Sequence, residues 1–288
     1  MSRVNWRAVQ AADFSVPPDA SLSDLTAELT TSLGSTDEAE RERVARRILC
    51  TWIRRGVYDD LLGGLGDGMV AGHSRVSDEP GSAESQVFRR ASCAVILREC
   101  IDRDTSRPLV AGGTVLSWGD RLTAWLLAER DLRDVIAGHG RARAVVHGAR
   151  ALAALAASPH LGAPELTVML DVVGERSAAP APHPFLAREP DALADVVLTV
   201  LHRDRVPADI VEAWLLRLAE EHRDSGRTSA EHAVADRNVE SLLRAVYLRL
   251  AFSRRHPPQR ADLMLGLVDA LQSFEDGPPS DGQNGRHH

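Results

Sequence analysis

The sequence predicts an all-α protein: a HEAT-like or armadillo-like α-solenoid of stacked antiparallel helix pairs. Three observations lead there. Apolar residues recur at spacings of three and four through most of the chain, and no stretch sustains the every-second-residue alternation of a half-buried strand. Aromatic residues are only 4%, and Ala, Leu and Val supply most of the apolar content, a mix that favours helix on helix over sheet on sheet. The helical stretches are joined by short segments marked by Pro or Gly, with a period of about 40 residues, as in helical repeat proteins.

Composition bounds the function classes. The 288 residues can bury a substantial core, and 44% hydrophobic with 26% charged residues fits a folded chain. All 34 basic residues are Arg. The formal net charge of −7 gives no global attraction to nucleic acid, so a nucleic-acid partner would need a locally segregated basic groove. The N-terminal stretch lacks the apolar segment of a secretory signal, and no run approaches the ~18 apolar residues of a membrane span. No membrane partner is expected. Cys50, Cys93 and Cys100 make no disulfide framework, since Cys93 and Cys100 sit about 10 Å apart on one expected helix. A reduced, cytoplasmic setting fits that pattern.

In chain order, residues 1–20 read as a loose N-terminal arm with room for one short helical turn, ended by Pro17-Pro18. The single solenoid domain then spans 21–274. Ser21 or Ser23 caps a helix that Gly34 stops. The next helix, 37–55, begins acidic and ends basic, as the helix dipole favours. Val44, Ile48, Thr51 and Trp52 form its buried stripe, and its charge run reads as a solvated face. Tyr58–Met69 is a weaker helix interrupted by the glycine cluster 63–68, which reads as a loop because no strand precedes it and no phosphate-loop spacing is present. Residues 72–83 read as a linker.

Glu84–Asp104 and Leu109–Arg130 follow as long helices, and Gly138 and Gly140 bracket a turn at His139. A helix from Arg141 to Ala157 carries an apolar stripe on Val145, Val146, Ala149 and Leu152, with Arg143, His147 and Arg150 on the opposite side. Pro164 opens the next helix, to about Glu175, and the proline-rich 177–187 is an extended connector. Helices at 189–203, 207–223, 230–252 and 259–274 complete the domain, the third started by Gly226, Thr228 and Ser229. The tail 275–288 is expected to be disordered.

Several segments, in order, resemble the bacterial DUF2785 family, a domain of unknown function. They are Phe88-Arg-Arg-Ala-Ser-Cys-Ala-Val-Ile-Leu with Asp102-Arg-Asp, then Ala128-Glu-Arg-Asp-Leu-Arg133, then Val146-His-Gly-Ala149, then Asn238 with Leu242-Leu-Arg-Ala-Val-Tyr-Leu-Arg-Leu250. The likeness covers about 85–252. It implies an all-α, HEAT-like fold and no established activity. Members of that family often carry Trp-Ala-His-x-x-Ala-His-Gly-Ala-Asp in the central helix. Here Arg143 stands at the first His and Arg150 at the Asp, leaving His147-Gly148-Ala149. Arginine stays protonated and ligates no metal, so no metal and no cofactor is expected.

The candidate site is therefore His147, with Asp131 as its carboxylate and Arg133, Arg143 and Arg150 as anion-binding groups. Histidine titrates near neutral pH, and flanking arginines favour its neutral form while attracting an anion. The competing structural reading has His147 bonded to Asp131 to lock the turn, with Asp131 and Arg133 as a helix-end salt bridge. Gly148, inside a helix, implies close approach by a neighbouring helix or a ligand. The leading expectation is a scaffold whose concave surface holds an unknown protein or an anionic small molecule. The alternatives are an enzyme or small-molecule site around His147, and a nucleic-acid binder.

Overall fold

The apolar stripes become twelve α-helices among the described residues, which in this computed structural model are 4–74, 83–186, 188–223 and 230–275. The tail beyond 275, the middle of the 72–83 linker and the expected helix start at 226–229 lie outside them. Two short helices, α1 (Trp6–Ala11) and α2 (Leu22–Ser32), precede a π-helical segment, Ala39–Arg46, that runs directly into α3 (Arg47–Arg54). Then come α4 (Leu62–Ser74), α5 (Ala83–Ser106), α6 (Gly112–Ala128), α7 (Ala144–Ala157), α8 (Ala163–Ala178), α9 (Glu189–Arg203), α10 (Ala208–Arg223), α11 (Ala230–Phe252) and α12 (Arg260–Glu275).

From α4 onward, consecutive helices alternate between two rows. α5, α7, α9 and α11 pack side by side in that order, with α3 against α5. In the second row α4, α6, α8, α10 and α12 follow one another, and the contacts of α4 with α5, α6 with α7, α8 with α9 and α12 with α11 join the rows. The core lies between them: Phe88, Ile96, Trp118, Leu152, Leu193 and Leu242 are fully buried. Burying one such side chain contributes roughly 1.5–3 kcal/mol, which is why short amphipathic helices hold together in this stack.

The glycine cluster does not break the chain. α4 runs unbroken through Gly63, Gly64, Gly66 and Gly68 to Ser74, so neither the loop at 63–68 nor a linker beginning at Gly72 forms. The reason is tertiary. A Cβ on Gly66 would lie 2.2 Å from the Trp118 ring of α6, and one on Gly72 would lie 2.5 Å from the Cys93 sulfur of α5. These glycines let two helices close onto α4, and the packing gained outweighs their poor helix propensity.

The charge run of 37–55 is also only partly solvated. Arg41 is fully buried and Arg46 nearly so. The Arg41 guanidinium sits 3.6 Å over the Phe88 ring and donates to the carbonyls of Ser35 (2.6 Å) and His139 (2.8 Å). Glu42 accepts from both Arg41 (3.1 Å) and Arg46 (2.7 Å). A buried guanidinium is tolerated when its donors are met in this way. The N-terminal residues, read as a loose arm, are likewise docked. Trp6 donates to Glu28 (2.8 Å), Trp52 donates to the Phe14 carbonyl (2.6 Å), and the Trp6 and Trp52 rings lie 6.3 Å apart.

The turn at His139 is a minimal β-hairpin, which the helical reading did not contain. Val135–Ile136 (β1) pairs antiparallel with Gly140–Arg141 (β2), and Gly138 and Gly140 take the positive φ expected of them. The following helix therefore starts at Ala144 rather than Arg141. Arg143 itself caps it in the left-handed region, with φ of 55°.

Two alanine substitutions on α4 should act in opposite directions. Gly66→Ala drives a methyl into Trp118 and is expected to destabilise by about 1–3 kcal/mol, as overpacking does. Gly63→Ala meets nothing within 4 Å and should stabilise by up to about 1 kcal/mol. Urea unfolding of both variants checks the pair; equal effects would refute the packing account.

Candidate functional site

α7 is apolar on most of its circumference because it is wedged between α5 and α9 in its own row, with α6 behind it. Gly148 is one of the places where α6 presses close. A Cβ there would stand 2.8 Å from Leu126 and 2.9 Å from the Trp125 ring. The close approach implied by that glycine is thus a neighbouring helix. It fixes the height of α7 and, with it, the adjoining His147.

His147 is half-buried. Among the described residues its imidazole has no hydrogen-bond partner, and the charges that act on it are all positive. Burial lowers its pKa first, followed by Arg46, Arg150, Arg143 and Arg98, which hold it well below the ordinary histidine value. It is a neutral imidazole at neutral pH, able to donate from one nitrogen and accept at the other.

The four arginines differ in how far they are satisfied. Arg46 donates from Nε to Ser92 Oγ (3.0 Å) and from Nη1 to Glu42 (2.7 Å), while its Nη2 is buried without a partner among the described residues. Burial lowers its pKa, with Glu42 opposing. Arg98 has one carboxylate, Asp102 at 3.3 Å, one turn along α5. Arg143 is committed to Asp134 of the hairpin at 2.6 Å. Arg150 makes no ion pair or hydrogen bond among the described residues; burial, then Arg98, Arg143 and Arg188, lower its pKa and Asp195 opposes. Among the described residues Arg46 thus keeps one unmet donor and Arg150 binds nothing, and the charges of both, with those of Arg143 and Arg98, act on the neutral imidazole of α7. Such a group can bind a carboxylate or phosphate through charge-assisted bonds.

Asp131 and Arg133 do not belong to it. Asp131 accepts from Arg133 Nε at 2.9 Å, as expected for a helix-end pair, and Arg133 also faces Glu84 at 3.6 Å. Burial pushes the Asp131 carboxyl up, but its bonds to Arg133 outweigh that and hold it below the usual carboxylate range. Asp131 is no partner of His147, which corrects the structural reading of that histidine. Of the five residues singled out in the sequence, His147, Arg143 and Arg150 come together, and Asp131 and Arg133 form a separate pair near the start of α5.

Sequence reasoning missed Arg46 and Arg98. A signal exists: Arg46, Arg98 and Arg150 recur at an equal interval along the chain. It also missed His73, which lay in the supposed linker. His73 is 4% exposed and stacks on Trp125 with ring centroids 4.3 Å apart. Among the described residues neither of its ring nitrogens has a partner, and burial, with Arg90 adding to it, lowers its pKa to about 3. Beside it the buried Glu129 accepts from Arg90 (2.6 and 2.9 Å) and from Trp125 (3.1 Å), pinning the end of α6 to α5. Among the described residues, no group of three or more His, Cys, Asp or Glu is placed to hold a metal.

Residues 80–248, more than half of the chain, match a model of the DUF2785 family, described as a protein of unknown function. No curated protein and no solved structure matches the chain.

The two neutral histidines set a pH dependence. Both folded-state pKa values lie below the ordinary 6.5, so between the two values the unfolded chain binds more protons than the native one. Stability is full above pH 6.5 and falls as the pH drops below it, by about 1.4 kcal/mol per pH unit for each such group. For His73 the window extends down to about pH 3. His73→Phe, which keeps the stack on Trp125 and removes two unsatisfied nitrogens, should raise stability at neutral pH and flatten the slope. Chemical denaturation at several pH values measures both; an unchanged slope would refute the assignment.

Proposed function

Since the chain belongs to the DUF2785 family, whose description names no activity, we propose from the site alone that it is a HEAT-like scaffold that holds an anionic ligand. The observation that carries this is the neutral His147, unbonded among the described residues, on which the charges of Arg46, Arg150, Arg143 and Arg98 all act, together with a buried Arg46 Nη2 that no described group satisfies. A buried donor left unmet is expensive, about 1–3 kcal/mol, and an anion that reached Nη2 would remove that penalty.

The alternating two-row order of helices supports the α-solenoid reading, in which equivalent positions on successive helices of one row line up. A reducing, cytoplasmic setting is consistent with three buried cysteines and no disulfide among the described residues. Also among the described residues, no helix is long and apolar enough to cross a membrane.

Carboxylates bound the cluster on both sides. Glu99 pairs with Arg54 and Asp102 with Arg98 on one flank; Asp195 pairs with Arg249 at 2.5 Å on the other. A basic patch closed at both ends suits a small anion, or a single acidic side chain of a partner protein, better than a nucleic-acid backbone, which needs a continuous basic track. The enzyme reading draws on the neutral imidazole, which could accept a proton. It lacks a carboxylate to orient that ring, as acid–base histidines usually have. It therefore stays second.

The test is thermal stability with phosphate, sulfate or citrate against chloride at constant ionic strength. Binding to the native state raises the melting temperature with ligand concentration. Arg150→Ala removes an arginine that holds nothing else, so the apo protein should melt as the wild type does. Its anion affinity should fall roughly tenfold or more, as the loss of a charge-assisted contact implies. An anion-induced shift equal in wild type and Arg150→Ala would sink the proposal.

A further inference from the structure

A second concavity lies away from the arginine cluster, between α2 and α4. It has a volume of about 580 Å³, with Thr26 and Thr30 of α2 on one wall and Gly64, Leu65, Gly68 and Met69 of α4 on the other. That volume falls within the roughly 300–1,000 Å³ of small-molecule sites.

Two features of its lining bear on what it could hold. Gly64 and Gly68 are exposed on α4, and a Cβ on either would meet nothing within 4 Å. Glycine weakens a helix relative to alanine, and here, unlike at Gly66 and Gly72, no neighbouring helix accounts for it. Their bareness leaves backbone open along the wall. The second feature is Arg89 of α5, the one charged residue among the described residues of the lining. Its guanidinium makes only long bonds to the Thr30 (3.4 Å) and Thr31 (3.3 Å) carbonyls, and no carboxylate pairs with it among the described residues.

An apolar trough with a single unpaired cation calls for a ligand of complementary form. We infer that this groove binds a single-chain amphiphile with a carboxylate head, its alkyl chain lying along Gly64 and Gly68 and its carboxylate on Arg89. Burial of the chain supplies the affinity and the guanidinium sets the orientation. The site is independent of His147 and its arginines.

Titration of the full chain with octanoate, nonanoate and decanoate, below micelle formation, tests this by calorimetry. Affinity should rise roughly fourfold per added methylene, the hydrophobic increment expressed as a binding ratio. Gly68→Leu fills the groove and improves helix propensity, so it should keep or raise the melting temperature while abolishing binding. Gly63→Ala, outside the lining, should leave binding unchanged. Arg89→Gln should weaken decanoate about tenfold and leave the neutral decanol unaffected, and Arg150→Ala should have no effect on either. The inference is overturned by no saturable binding, by decanoate binding that survives Gly68→Leu, or by indifference to Arg89→Gln. It is also overturned if decanoate does not bind and sedimentation shows a dimer that Gly68→Leu dissolves, which would give the groove to a second copy of the chain.

Discussion

A guanidinium removed from water must have its donors met, and the first part of this molecule is arranged around that requirement. Arg41 is fully buried, and its bonds reach Ser35 behind it and His139 in the distant hairpin while its face lies on Phe88 of α5. One side chain thereby ties the π-helical segment to α5 and to the turn that launches α7. Arg46, one helical turn further, meets the same requirement only in part: Ser92 and Glu42 take two of its nitrogens and Nη2 is left over. The candidate anion site grows from that remainder. The widened winding of Ala39–Arg46 fits this role, since π-helical turns recur where a helix must present side chains off the usual register.

The histidine owes its character to position more than to identity. Gly148 lets Trp125 and Leu126 press onto α7, and His147 beside it is half out of solvent, with the charges of four arginines acting on it. A histidine bonded to a carboxylate would be held near or above its ordinary pKa; this one is pushed down by burial and by like charge. The difference separates a turn-locking residue from one that can face an anion. Asp131, next to it on paper, is consumed by Arg133.

Glycine does three jobs along this chain. At Gly138 and Gly140 it supplies the positive φ of the hairpin. At Gly66, Gly72 and Gly148 it admits a neighbouring side chain that a methyl would block. At Gly64 and Gly68 it faces a groove. Composition and spacing cannot tell these apart, because the distinction lies in what stands opposite each residue. For the same reason the run 63–68 reads as a loop, although the packing of α4 on α5 and α6 keeps it helical.

The sequence by itself determined the helical class and most helix positions, including α5, α6, α9 and α11, because helical periodicity is a local property carried by each stretch alone. It also singled out His147, Arg143 and Arg150, which share one helix or its cap and so keep their relation in the linear chain. Tertiary structure alone decided the rest. Arg46 and Arg98 join the site from other helices, Arg41 leaves the solvated face for the core, and Asp131 turns to its own neighbour. These outcomes depend on which side chains meet across helix contacts, and such contacts join residues far apart in sequence, so no window along the chain contains them.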